Sequence, residues 1–150
     1  MADTQIKNRR AFYEFHVLEK VECGIVLLGS EIKSIREGKM TLTDAFARIQ
    51  EGEVFLIGSH ISEYKNASHF GHEPKRKRKL LLHRAEIRKL QRRVDEKGLT
   101  LIPLRVFFNK RGFAKVDLGI CRGKQRHDKR QALKSRDSER EVRREISKYS

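Results

Sequence analysis

The sequence predicts a mainly β protein: an antiparallel β-barrel of about six short strands with short flanking helices, followed by a basic C-terminal tail. Three observations carry that expectation. Up to residue 120, short runs rich in β-branched and aromatic residues are separated by glycine-bearing turns. Helical periodicity interrupts them in only two places. Beyond Cys121 the apolar pattern gives way to charge. The chain thus divides into a barrel over 1–120 and a tail over 121–150. With 150 residues and 37% apolar side chains, the first part can hold one modest core.

Each element has its own reason. Phe12 to Glu22 alternates loosely, and Gly24-Ile25-Val26-Leu27-Leu28-Gly29 follows, so two strands are expected to meet at Cys23-Gly24. Ser30 to Gly38 reads as a short helix: Ser30 as N-cap, Glu31 in the first turn, Arg36 in the last, Gly38 as the stop, with Ile32 and Ile35 facing inward. Ala45–Ile49 and Val54–Ile57 flank Gln50-Glu51-Gly52-Glu53, a hairpin. Leu80, Ile87, Leu90 and Val94 share one helical face, so a second helix is expected over Leu80–Lys97, stopped by Gly98. Leu99–Phe108 and Phe113–Ile120 form a further hairpin around Asn109-Lys110-Arg111-Gly112, with Pro103 at an edge or a bulge because it has no N–H for the ladder. Such a set of short strands suits a closed barrel, and an oligonucleotide/oligosaccharide-binding (OB-like) barrel is the natural candidate.

The charge is focused. From Lys75 to Arg93 there are ten Lys/Arg against the single acid Glu86, and from Cys121 to Ser150 eleven against five. These two zones account for the whole formal +15, and the remaining 101 residues carry 14 bases and 14 acids. A cation bias of this kind fits a partner with ordered, dense negative charge, RNA or DNA. Lys75-Arg76-Lys77-Arg78-Lys79 runs straight into Leu80-Leu81-Leu82, which anchors the cations to the fold as a phosphate surface. In the tail, Val142, Ile146 and Tyr149 are helically spaced but too sparse to hold a helix on a core, so the tail is expected to be disordered alone and to fold on a partner.

Other classes find less support. No apolar run approaches the roughly 18 to 20 residues of a membrane span, and the polar Met1-Ala2-Asp3-Thr4-Gln5 opening is unlike a secretory signal, so a cytoplasmic location is expected. Cys23 and Cys121 lack paired zinc-site spacing and read as small core residues. His69 and His72 form the only close histidine pair, with no third or fourth ligand beside them, and neither a metal nor a cofactor is expected. There is no Gly-x-x-x-x-Gly-Lys phosphate loop and no Gly-x-Ser-x-Gly elbow, and His127-Asp128-Lys129 lies in a tail with nothing to hold a catalytic geometry. Two other readings stay open on residues alone: a ribosomal or RNA-chaperone barrel with a basic extension, and a nuclease using His127.

Four separated motifs narrow the choice. Asn8-Arg9-Arg10-Ala11, Glu22-Cys23-Gly24-Ile25-Val26-Leu27-x-Gly29-x-Glu31-Ile32-Lys33-Ser34-Ile35-Arg36, Pro74-x-Arg76-x-Arg78-Lys79-Leu80-Leu81-Leu82 and Gly123-Lys124-x-x-x-Asp128-Lys129-Arg130 together resemble the SmpB family, the tmRNA-binding proteins of bacterial trans-translation. The resemblance runs from about Lys7 to Arg130. It implies a non-enzymatic, monomeric protein that binds the tRNA-like domain of tmRNA (SsrA RNA). It further implies delivery of alanyl-tmRNA, with elongation factor Tu, to stalled 70S ribosomes, where the tail takes the place of a codon at the 16S rRNA decoding centre and in the mRNA channel. Carried onto this chain, the family's RNA-facing positions match Glu22, Leu81, His83 and Lys115, beside the Lys75–Lys79 run and with Asn8 and Arg9 nearby as further RNA contacts. Its decoding-centre positions match Gly123, Lys124, His127, Asp128, Lys129 and Arg130, with Arg126 offsetting the cation missing at Gln125 and helical structure expected on the ribosome. The chain departs from the family pattern at Cys23, Glu73, Gln125 and Ser138.

Overall fold

The computed structural model describes residues 4–63 and 71–124. In chain order the elements are β1 (Gln5–Lys7), α1 (Arg9–Glu14), β2 (Phe15–Ile25), α2 (Gly29–Arg36), β3 (Met40–Thr41), β4 (Phe46–Gln50), β5 (Glu53–Ile57), β6 (His60–Ile61), β7 (Arg78–Leu81), α3 (Arg84–Val94), β8 (Leu99–Phe108) and β9 (Ala114–Gly123). Six strands close a ring in the order β8-β4-β5-β7-β2-β9, with β8 and β9 paired to complete it and β1 added outside β8. Every pairing is antiparallel. Two seams are thin: β4 meets β8 only at Ala47 and Leu101, and β2 meets β7 only at Gly24–Leu81 and Ile25–Leu80. The ring is therefore mainly β, as expected, with the expected six strands, but its ladders do not run unbroken as in a true barrel.

Alternation fills the ring. Val54, Leu56, Leu80, Leu101, Val106, Val116, Leu118 and Ile120 point inward and are nearly inaccessible, with Ile35 of α2 and Leu90 of α3 packed into the same core. A smaller cluster of Ala11, Ile102, Leu104 and Cys121 lies on the other face of the β8–β9 hairpin, beneath α1. Both cysteines are buried and unbridged, and burial pushes their thiols up to about 12 for Cys23 and about 11 for Cys121, so both stay protonated and inert.

Several boundaries differ from the sequence expectation. β2 is one strand of 11 residues, because β9 pairs with it from Phe15 through Gly24 and leaves no room for a turn at Cys23-Gly24. α2 starts two residues early, with Leu28 rather than Ser30 at the N-cap; Glu31 caps it by accepting from the Leu28 amide at 2.8 Å, while Ser30 lies inside the helix. Leu80 and Leu81 belong to β7, Leu82 follows the strand, and α3 begins only at Arg84. Gly38 takes a left-handed φ of 77° just past the C-cap of α2 and stops it as expected, whereas α3 already ends at Val94 with Asp95 as C-cap, so Gly98, with φ of 85°, serves the turn into β8 and is not the helix stop expected of it. The β4–β5 loop is a two-residue turn, Glu51-Gly52, with both φ positive, which matches the twist of its strands. Pro103 sits at a register shift against β9, the bulge its missing N–H required. The fold also outruns its expected end at Ile120: Cys121, Arg122 and Gly123 pair with Val17, His16 and Phe15, and the Lys124 amide donates to the Glu14 carbonyl at 2.8 Å.

Candidate nucleic-acid interface

Strand geometry sorts the basic run. In β7, Arg78 and Leu80 face inward while Lys79 and Leu81 face outward. Arg78 is 0% exposed. Its guanidinium donates to Glu31 Oε2 at 2.6 Å, to the Ser59 carbonyl at 3.1 Å and hydroxyl at 3.0 Å, and to the Pro74 carbonyl at 3.1 Å. Arg76 donates to Glu31 Oε1 at 2.6 Å. Burial opposes ionisation of Glu31, but the bonds from Arg76, the Leu28 amide and Arg78 outweigh it and hold the carboxyl below its ordinary range. Burial likewise lowers the pKa of Arg78, with Glu31 acting against it; a guanidinium stays charged all the same.

The expectation that all five cations face phosphate is corrected at Arg78, whose donors are committed inside the fold, and reduced at Arg76. Lys75, Lys77 and Lys79 point outward. Lys79 pairs with Glu53 at 3.1 Å, Lys77 lies 4.3 Å from the Phe55 ring centroid and donates to Gln50 at 3.1 Å, and Lys75 has no side-chain partner among the described residues. Asn8 is corrected too. Its side chain is buried, donates to the Leu42 and Pro103 carbonyls at 3.2 and 2.9 Å, and caps α1 by accepting from the Ala11 amide at 3.2 Å. Both amide N–H groups are spent inside the fold, and burial closes the oxygen to RNA. Arg9, its neighbour, is exposed.

The other expected residues come together. Glu22, Leu81, His83 and Lys115 line one open pocket of about 430 Å³, with Cys23, Gly24, Leu82 and Glu86. Register explains the convergence: Leu81 of β7, Gly24 of β2 and Lys115 of β9 stand in one row across three strands. Gly24 keeps the middle of the row low, since a Cβ there would meet Leu81 Cβ at 3.3 Å. Leu81 is left 50% exposed. His83 enters from the N-cap of α3, its amide donating to Glu86 at 2.9 Å. Sequence reasoning did not place Gly24 or Glu86 here; the signal for Glu86 was its spacing, three residues after His83, which is that of a capping acid. The arrangement offers an apolar platform for a base, a carboxylate acceptor, an imidazole and an ammonium within one shallow cleft. That set suits hydrogen bonding and stacking with an exposed nucleotide.

Elsewhere, His72 is buried with Nε2 2.9 Å from the Ile61 carbonyl and Nδ1 2.9 Å from Ser30 Oγ. Both ring nitrogens are thus engaged, and no group of three metal-ligating side chains occurs among the described residues. No helix of the described residues is long and apolar enough to cross a membrane. Of the expected tail positions, Gly123 ends β9 and Lys124 donates to the Phe12 carbonyl at 2.9 Å. Arg126, His127, Asp128, Lys129 and Arg130 lie outside the described residues.

Comparison with known proteins places this geometry. The family model described as SmpB protein matches residues 5–148. An SsrA-binding protein of Desulfitobacterium hafniense is 53% identical over 137 residues, 91% of this chain and 87% of the relative. One of Treponema denticola is 51% identical over 140 residues, 93% of this chain and 90% of the relative. A chain of a solved structure described as "tmRNA-SmpB: a journey to the center of the bacterial ribosome" superposes with a TM-score of 0.70 at 47% identity, covering 87% of this chain and 94% of that one. The chain belongs to the SmpB family.

Proposed function

We propose that this protein binds the tRNA-like domain of tmRNA through the Glu22–Leu81–His83–Lys115 pocket and brings alanyl-tmRNA, with elongation factor Tu, to stalled ribosomes. The tail from Gly123 through Lys124, Arg126, His127, Asp128, Lys129 and Arg130 then occupies the vacant decoding centre and mRNA channel. The single observation that carries this reading is the convergence: four residues from β2, β7, β9 and the start of α3, up to 93 positions apart in sequence, meet in one cleft. The SsrA-binding relatives and the ribosome-associated solved structure support the choice of RNA. The role is binding and delivery without catalysis, by a cytoplasmic monomer.

Glu22 is the informative member. A carboxylate on a polyanion-binding face is favourable only where it accepts from base or ribose donors, which places a nucleotide edge rather than a phosphate above it. Competition binding tests the reading: labelled tmRNA should resist displacement by total tRNA, and equal displacement would favour a general RNA chaperone. The division of labour is tested by ending the chain at Lys124, which keeps the β9 ladder whole. The shortened protein should hold tmRNA within a few-fold of full-length affinity and lose alanine transfer to nascent peptides on ribosomes carrying truncated mRNA. Transfer at the full-length rate would remove the tail from the decoding role.

A further inference from the structure

A second pocket, of about 260 Å³, opens on the same outer sheet face, lined by Lys7, Arg9, Phe12, Lys20, Arg105 and Asp117. Its placement follows from register. Lys7 of β1 stands opposite Arg105 of β8, Arg105 opposite Asp117 of β9, and Asp117 opposite Glu22 of β2. Glu22 lines the first pocket and Asp117 the second, so the two clefts share a border at that pair. Lys20 lies two residues before Glu22 on the same side of β2, about 7 Å along the strand.

The lining is sorted into fixed and available groups. Arg105 is held, donating to Asp117 at 2.5 Å with its guanidinium 4.1 Å from the Phe107 centroid. Lys7, Arg9 and Lys20 have no ion-pair partner among the described residues. Phe12, on the exposed side of α1, is 48% accessible, and the Lys20 ammonium stands 5.9 Å from its ring centroid. An exposed aromatic face ringed by unpaired cations is what a nucleotide needs: a surface for the base and charge for the phosphate.

We propose that this pocket is a second nucleotide subsite, taking an unpaired nucleotide of RNA with its phosphate among Lys7, Arg9 and Lys20 and its base against Phe12. It extends the first pocket's RNA track toward the start of the tail, for Lys124 is bonded to the Phe12 carbonyl. The inference deepens the RNA-binding reading above and rests on it. Nothing in the pocket's chemistry requires the RNA to be tmRNA.

The test uses the full chain and a labelled uridine hexamer, with affinity followed over a range of salt. Phe12→Ala should weaken hexamer binding about fivefold or more, the effect of losing one stacked base, and Phe12→Trp should restore it. Lys7→Gln combined with Lys20→Gln should flatten the slope of log affinity against log salt by about 1.4, or about 0.7 for each lost single-strand contact. Hexamer affinity of Phe12→Ala within twofold of the unaltered chain, or an unchanged slope in the double variant, overturns the subsite. Competition between tmRNA and tRNA on the unaltered chain is run beside it. Loss of tmRNA preference with the hexamer effects intact overturns the trans-translation reading alone, and the reverse pattern overturns the subsite alone.

Discussion

The basic run entering β7 and the pocket at that strand's far end differ in what folding does to their charges. Five consecutive cations make the run the most charged segment of the sequence, yet Arg76 and Arg78 turn onto Glu31 and Lys79 pairs with Glu53. The pocket has little net charge. It gathers a carboxylate, an ammonium, an imidazole and a half-exposed leucine in one cleft. On the proposed reading, charge density in the run would supply attraction to any RNA, whereas the mixed chemistry of the pocket would tell one RNA from another.

The largest effect should come from the buried half of the run. Arg78→Ala leaves Glu31 at 0% exposure with one partner fewer, and breaking a buried pair from one side costs about 3–5 kcal/mol. Urea unfolding should show it as a large fall in midpoint; a change under about 1 kcal/mol would return Arg78 to the surface cations. The same cluster has a pH signature. Because the carboxyl of Glu31 is held below its ordinary range, the stability it contributes is fully present above about pH 4.3, the value of an unfolded-state Glu, and is lost as pH falls through the lower folded value. Glu31→Gln should therefore narrow its deficit against the unaltered protein only in acid.

Next in size is Glu22→Gln in the pocket. It removes a charge-assisted acceptor worth about 1.5–3 kcal/mol, so tmRNA affinity should fall about tenfold or more with stability unchanged. Tighter binding would show that Glu22 only repels phosphate. Asn8→Ala should cost about 1–2 kcal/mol of stability through the lost cap and the two carbonyls it serves, while the folded protein keeps its tmRNA affinity. A selective loss of binding would put Asn8 back on the RNA. The smallest effect belongs to the outward lysines: Lys75→Ala with Lys77→Ala should flatten the salt slope by about one to two units and lower affinity a few-fold at moderate salt.

Most of the fold was legible because it is written locally. Alternation marked the β4–β5 and β8–β9 hairpins, Gly38 marked the end of α2, and Pro103 marked its bulge. Non-local features were not: β1, β3 and β6 are two or three residues long and exist only by pairing with distant chain, and ring closure rests on two seams of one or two residue pairs. The burial of Arg78 shows the limit most sharply. Read as a block, Lys75–Lys79 looks uniformly solvated; read as a strand, Arg78 shares its parity with Leu80, which is core. Asn8 was placed on the RNA through the resemblance alone, while its local setting before Arg9-Arg10-Ala11 makes it the N-cap of α1. Of the pocket, Glu22, Leu81, His83 and Lys115 were reachable only through family resemblance, since no local pattern joins residues on four elements.

Selectivity separates the two regions most directly. The measurement is the ratio of tmRNA to total-tRNA affinity, at one salt concentration, for the unaltered chain, for Leu81→Ala in the pocket, and for Lys75→Ala with Lys77→Ala in the run. Leu81→Ala should collapse the ratio by removing the platform under the recognised nucleotide, whereas the lysine pair should weaken both RNAs alike and leave the ratio within about twofold. A ratio that survives Leu81→Ala and collapses with the lysines would contradict the assignment of recognition to the pocket.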